Sequence, residues 1–121
     1  MVDILIIDDD RQMRGLLIRI LKGAGYTIHE AENGRSGIEL FRQLRPALVI
    51  TDIVMPDMEG IETILALRQG DPTVPIIAIS GGIDPLFLTA AGKLGATATL
   101  RKPFSPDELI ALIEGCLAHK P

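Results

Sequence analysis

The sequence predicts an α/β domain in which a five-stranded, doubly wound parallel sheet carries helices on both faces. Three observations lead there. Five short apolar runs alternate with stretches of helical periodicity. Three of the runs are apolar throughout but for the closing Thr51 of one, as parallel strands covered on both faces require. Glycine, proline and capping residues fall at the joints, and strict alternation of strand and helix implies right-handed crossovers.

The elements follow in order. Ile4–Ile7 is the first strand and runs into Asp8-Asp9-Asp10. Met13, Leu16, Leu17, Ile20 and Leu21 then fall at i, i+3, i+4, i+7 and i+8, one face of a helix. Arg11, Arg14, Arg19 and Lys22 make that helix locally basic and are read as its solvated face, which also suits an acidic partner. Gly23 and Gly25 close it. The second strand, Tyr26–Glu30, is mixed in character and suits a sheet edge, with His29 exposed on it. Ile38, Phe41 and Leu44 mark the second helix, which stops at Arg45-Pro46. Leu48–Thr51 is the third strand, ending in Asp52, and Ile61, Ile64 and Leu65 mark the third helix before Gly70-Asp71-Pro72.

The fourth strand, Ile76–Ile79, leads into Ser80-Gly81-Gly82, and Asp84-Pro85 starts a helix that Gly95 ends. Within that helix Leu86–Ala91 is apolar nearly all round, which burial against a partner or a second protomer would explain. Thr97–Leu100 is the fifth strand and stops just before Lys102. Ser105-Pro106-Asp107-Glu108 is a capping box with proline at the first helical position. The stripe Leu109, Leu112, Ile113, Cys116 and Leu117 completes the last helix, and His119 lies in the tail.

Composition bounds the function. A chain of 121 residues, 47% hydrophobic and 23% charged, holds one globular core. A net charge of −4 and only four aromatic residues argue against nucleic-acid binding by phosphate contact or base stacking. The single cysteine cannot form an internal disulfide, and no Cys/His cluster suits zinc. The N-terminus has no basic region before its apolar run, and no apolar stretch approaches the roughly 18 residues of a membrane span. A cytosolic domain is expected.

Sheets of this kind bind ligands outside the carboxyl ends of their strands. There the sequence places Asp8, Asp9, Asp52, Ser80 and Lys102. Asp10, directly before the first helix, is read as its N-cap. Two further adjacent acids exceed what a cap requires. Ser80 could alternatively cap a turn with Gly81-Gly82. A carboxylate that attacks a phosphoryl group faces the repulsion of two anions, so cations must gather beside it. Magnesium suits such a site, because it takes oxygen ligands and needs only one or two carboxylates. Three carboxylates, one lysine and one divalent ion are together close to neutral.

The segments Ile4-Leu5-Ile6-Ile7-Asp8-Asp9, Asp52-Ile53-Val54-Met55-Pro56-Asp57-Met58-Glu59-Gly60, Ile79-Ser80, and Gly95-Ala96 with Lys102-Pro103-Phe104 resemble the receiver domain of two-component response regulators. The resemblance implies a flavodoxin-like (βα)5 fold with strand order 2-1-3-4-5, filling residues 1–121 as one domain with no output domain in this chain. It makes Asp52 the phosphoacceptor, charged from a phosphohistidine. Asp9 and Asp52 would bind Mg²⁺ directly, Asp8 largely through water, and Val54 through its backbone carbonyl. Lys102 would pair with the phosphoryl oxygens, Ser80 would hydrogen-bond one of them, and Lys102-Pro103 would be a cis peptide. The implied setting is the bacterial cytoplasm, in a phosphorelay. The implied partners are a sensor histidine kinase or histidine phosphotransfer protein, and a downstream target or an output domain absent from this chain. Direct nucleic-acid and membrane contacts are not expected, and the fourth-helix face leaves room for a homodimer.

Three departures from the family pattern matter. Thr99 stands where receivers usually carry the aromatic that turns inward on activation, so the usual readout lacks its ring and any output change should run through the loop after Ser80. Gly81-Gly82 replaces bulkier residues and suits a mobile loop. Val54 and Gly82 carry no polar side chain to orient a water, so slow self-hydrolysis is expected. Two rivals remain. A constitutive interaction module is disfavoured by the presence of all five site residues. A Mg²⁺-dependent phosphohydrolase would want an acid where Val54 stands, and a substrate-covering cap.

Overall fold

A computed structural model describes residues 2–53, 60–81 and 85–118, with the backbone alone at 85–88 and 90. The strands are β1 (Asp3–Ile7), β2 (Thr27–Ala31), β3 (Leu48–Asp52), β4 (Ile76–Ser80) and β5 (Ala98–Arg101). Between and after them run α1 (Arg11–Gly23), α2 (Gly34–Leu44), α3 (Gly60–Gly70), α4 (Pro85–Leu94) and α5 (Pro106–Ala118). All four strand pairings are parallel, in the order β2-β1-β3-β4-β5. That is the expected order, with the mixed strand at one edge.

The pleat divides the apolar residues between two cores. Leu5, Ile7, Val49, Ile76 and Ala78 point to one face and pack with Ile38 and Phe41 of α2, Ile64 and Leu67 of α3, and Ala91 of α4. Ile4, Ile6, Leu48, Ile50, Ile77 and Ile79 point to the other and meet Leu17 and Leu21 of α1 and Leu109, Ile113 and Cys116 of α5. Cys116 is thus a buried core thiol, and burial raises its pKa. Two of the three inner strands, β3 and β4, are buried along their whole length, whereas β5 at the second edge alternates between half-buried and exposed.

Local chemistry sets the helix ends. The Asp10 carboxylate accepts from the backbone N–H of Gln12 and Met13, and Asn33 does the same for Ser36 at the start of α2. Ser105 and Glu108 exchange reciprocal bonds of 3.1 and 3.2 Å, the capping box expected from sequence. Asp84, Gly82 and His119 lie outside the described residues, as do the side chains at 86–88 and 90 that made the fourth helix read as apolar all round.

Two sequence expectations need correction. Arg14 does not belong to the solvated face of α1. Its side chain is 13% exposed and lies against β1 and β2, because two oxygen acceptors there satisfy its guanidinium. His29 is half-buried rather than exposed, with Nε2 3.2 Å from Asp3 Oδ1 on the neighbouring strand.

At the end of the sheet opposite the carboxyl rim, Arg68 of α3 ties three elements together. Its Nε donates to the Gly95 carbonyl (2.8 Å), Nη1 to the Asp71 carbonyl and Nη2 to Thr97 Oγ1. Gly95 has φ +132°, and a Cβ there would meet Arg68 Cγ at 2.7 Å, so glycine is needed on both counts. Arg68→Ala removes three hydrogen bonds from a half-buried group. It should lower unfolding free energy by about 1–3 kcal/mol, measured as a reduced urea midpoint with unchanged slope.

Candidate functional site

The strands run parallel, so their carboxyl ends share one rim. β1 and β3 are neighbours in register Ile7↔Thr51, and the next residues in each chain, Asp8 and Asp52, therefore stand side by side. Asp8 is 1% and Asp52 8% exposed, while Asp9 is exposed. Carboxylate oxygens from all three lie within 4.8 Å of one another, the one such acidic group among the described residues. Hard oxygen donors at this spacing fit a hard divalent cation.

Lys102 reaches the group from beyond β5. Its Nζ lies 3.8 Å from Asp52 Oδ2 and 4.0 Å from Asp8 Oδ2, with 20% of its side chain exposed. Its backbone N–H donates to the Ser80 carbonyl at 2.8 Å, and the Lys102–Pro103 peptide is cis, as the resemblance implied. Ser80, 4% exposed, ends β4 next to Asp52 on β3 and opposite Arg101 on β5. The structure thus brings Asp8, Asp9, Asp52 and Lys102 together and sets Ser80 on the adjoining strand end. Thr99 stands below the rim, exposed on the edge strand in register with Ala78. Val54 lies outside the described residues. Beside Lys102 opens a hollow of about 330 Å³, lined also by Met13, Leu16, Gly81, Pro103 and Phe104.

Backbone contacts fix these side chains. The Asp8 N–H donates to the Ala31 carbonyl (3.1 Å), and its Oδ1 accepts from the Asp10 N–H (2.9 Å). The Ile53 N–H donates to the Ile79 carbonyl (3.0 Å), and Thr51 Oγ1 donates to the Asp52 carbonyl (3.0 Å). α3 begins in direct contact with the end of β3. The Gly60 N–H donates to the Ile53 carbonyl at 2.6 Å, and a Cβ at Gly60 would come within 2.2 Å of the Asp52 carbonyl oxygen. Only glycine leaves the Asp52 backbone undisturbed. Sequence reasoning had the Gly60 position within a family motif, but its close approach to Asp52 is visible only in three dimensions.

Burial is the largest influence on Asp8 and pushes its pKa up to about 6 from 3.8. The Asp10 N–H and Lys102 pull it down, while Asp52 and Asp9 push it further up. Because the folded-state pKa lies above the unfolded one, stability from this residue is complete below pH 3.8 and is lost as pH rises through 6. In metal-free protein at pH 7.5, Asp8→Asn should therefore be more stable than the parent by about 1–3 kcal/mol. The gain should vanish near pH 4, as measured by urea unfolding at the two pH values.

The family model "Response regulator receiver domain" matches residues 4–114. The chain is 38% identical over 108 residues to the chemotaxis protein CheY of Thermotoga maritima, covering 88% of this chain and 90% of that one. It is 35% identical over 114 residues to the DNA-binding transcriptional regulator NtrC of Escherichia coli (strain K12), covering 94% of this chain and 24% of NtrC. The chain therefore spans about a quarter of NtrC's length. The crystal structure of a putative response regulator from Chloroflexus aurantiacus J-10-fl superposes with a TM-score of 0.93 at 30% identity, covering 98% of both chains. Among the described residues no helix is long and apolar enough to cross a membrane. The chain belongs to the response regulator receiver domain family, the signalling switches of two-component systems.

Proposed function

We propose that this domain accepts a phosphoryl group on Asp52 and uses the resulting charge to change its protein contacts. The observation that carries this reading is the placing of Lys102 between Asp52 and Asp8, inside a group of three carboxylates. An Asp52 oxygen would attack the phosphorus of a phosphohistidine, forming an O–P bond as the N–P bond breaks and its electron pair returns to the imidazole. Lys102, already within 4 Å of both buried carboxylates, supports the role of neutralising the incoming oxygens. Ser80, at the end of the next strand, is the residue we assign to donate a hydrogen bond from its hydroxyl to one of the phosphoryl oxygens.

The donor set suits Mg²⁺, which Asp9 and Asp52 would hold directly and Asp8 largely through water, with the Val54 carbonyl, outside the described residues, as the further ligand we assign. Bound there, the ion supplies positive charge against the nucleophile and the transferred group. The domain's own residues do the rest: they hold the nucleophile buried and keep Lys102 aimed at it. We assign the donor role to a sensor histidine kinase or histidine phosphotransfer protein in the cytoplasm. The output is a contact made by this domain with another polypeptide, in the same chain or in a separate one. About 1.5–2 units of negative charge added at the rim is the switching signal, and self-hydrolysis is slow.

Incubation with acetyl phosphate and Mg²⁺ tests the proposal. Intact mass should show one added phosphoryl group on the parent. Asp52→Asn should show none, and Lys102→Met should be labelled at least about tenfold more slowly. Labelling of Asp52→Asn to the parent's extent would overturn the assignment.

A further inference from the structure

Arg14 differs from the other basic residues of α1 in what it touches. Its Nη1 donates to the Asp8 carbonyl at 2.7 Å while its Nε donates to Glu30 Oε1 at 3.0 Å. The Asp8 carbonyl belongs to the peptide that joins Asp8 to Asp9, and a peptide unit is planar. Fixing that oxygen fixes the plane from which Asp9 departs. The residues on either side are already held, by the bonds from the Asp8 N–H to Ala31 and from the Asp10 N–H to the Asp8 carboxylate. Asp9 itself is exposed, so the backbone on which it stands directs it more than packing does.

We propose that Arg14 is a positioning residue for Asp9. It holds the Asp8–Asp9 peptide in the orientation that keeps the Asp9 carboxylate grouped with those of Asp8 and Asp52, and Glu30 orients Arg14 in turn. The inference rests on reading that acidic group as a Mg²⁺ site. Glu30 has half its side chain in solvent (51%), so the ion pair by itself contributes little to stability. What matters is the planar guanidinium fork, which serves two acceptors at once; a lysine in its place is a single point charge. The outer support of a metal ligand is commonly worth about tenfold or more in metal affinity.

Charge and positioning predict opposite signs here. If Arg14 acted only as a nearby positive charge, its removal would tighten the binding of a cation. If it positions Asp9, its removal weakens that binding. Mg²⁺ titrated calorimetrically into the parent, Arg14→Met, Arg14→Lys and Glu30→Gln separates the two, with urea unfolding run alongside to show that each variant is folded. Arg14→Met should bind Mg²⁺ about tenfold more weakly than the parent. Arg14→Lys should fall in between although it keeps the charge, and Glu30→Gln, which keeps an acceptor for Nε, should lose the least. Folded Arg14→Met that binds as tightly as the parent, or more tightly, would overturn the inference alone. Should Arg14→Met not fold, Arg14→Lys decides: weaker binding supports the inference and parental affinity overturns it. A parent that binds no Mg²⁺ would overturn the underlying site reading and the inference with it.

Discussion

Repulsion among the carboxylates of Asp8, Asp9 and Asp52, whose oxygens lie within 4.8 Å of one another, is the constraint on which the rest of the site depends. At that spacing an ionised pair as buried as Asp8 and Asp52 costs on the order of 3 kcal/mol at an effective dielectric of about 20. Lys102 offsets part of this, with Nζ 3.8 Å from Asp52 and 4.0 Å from Asp8, but one cation cannot neutralise three anions. The raised pKa of Asp8 records the conflict, since burial and its two acidic neighbours all oppose its ionisation. Further positive charge at this group would lower that cost.

The sheet makes this assembly unavoidable. With β1 beside β3 at the centre and all strands parallel, the acids that end those two strands must meet at one rim. β4 brings Ser80 to the same level, and the bond from the Lys102 N–H to the Ser80 carbonyl anchors the lysine's backbone one strand further out. From there only a long side chain reaches Asp52, which is a physical reason for lysine at the end of β5. On the other side, contact between Gly60 and the Asp52 backbone fixes the end of β3. The two cores, one on each face, supply the rigidity that holds four strand ends in place.

Much of this was legible in the sequence. Apolar runs alternating with helical stripes yielded all ten elements, with strand ends displaced by a residue or so, and the rule that ligands sit at carboxyl ends picked out Asp8, Asp9, Asp52, Ser80 and Lys102. What stayed hidden depended on contacts between residues distant in the chain. Arg14 shares its helix with Arg11, Arg19 and Lys22, and nothing in that pattern marks the one that folds back onto Asp8. Glu30 ends an edge strand outside the site, so its link to Arg14 had no local signal. The staple from Arg68 to Gly95 joins positions 27 residues apart, and only the arrangement of α3 and β5 brings them together. The pKa of Asp8 is likewise a consequence of burial depth, which periodicity does not report.

The central claim is that a divalent cation would relieve the repulsion at this rim, and thermal unfolding of the parent with and without Mg²⁺ at pH 7.5 tests it most directly. A cation that binds only the folded acidic group should raise Tm by several degrees at saturating concentration, and the rise should disappear in Asp9→Asn. A Tm that Mg²⁺ leaves unchanged, or an equal rise in Asp9→Asn, would contradict the claim.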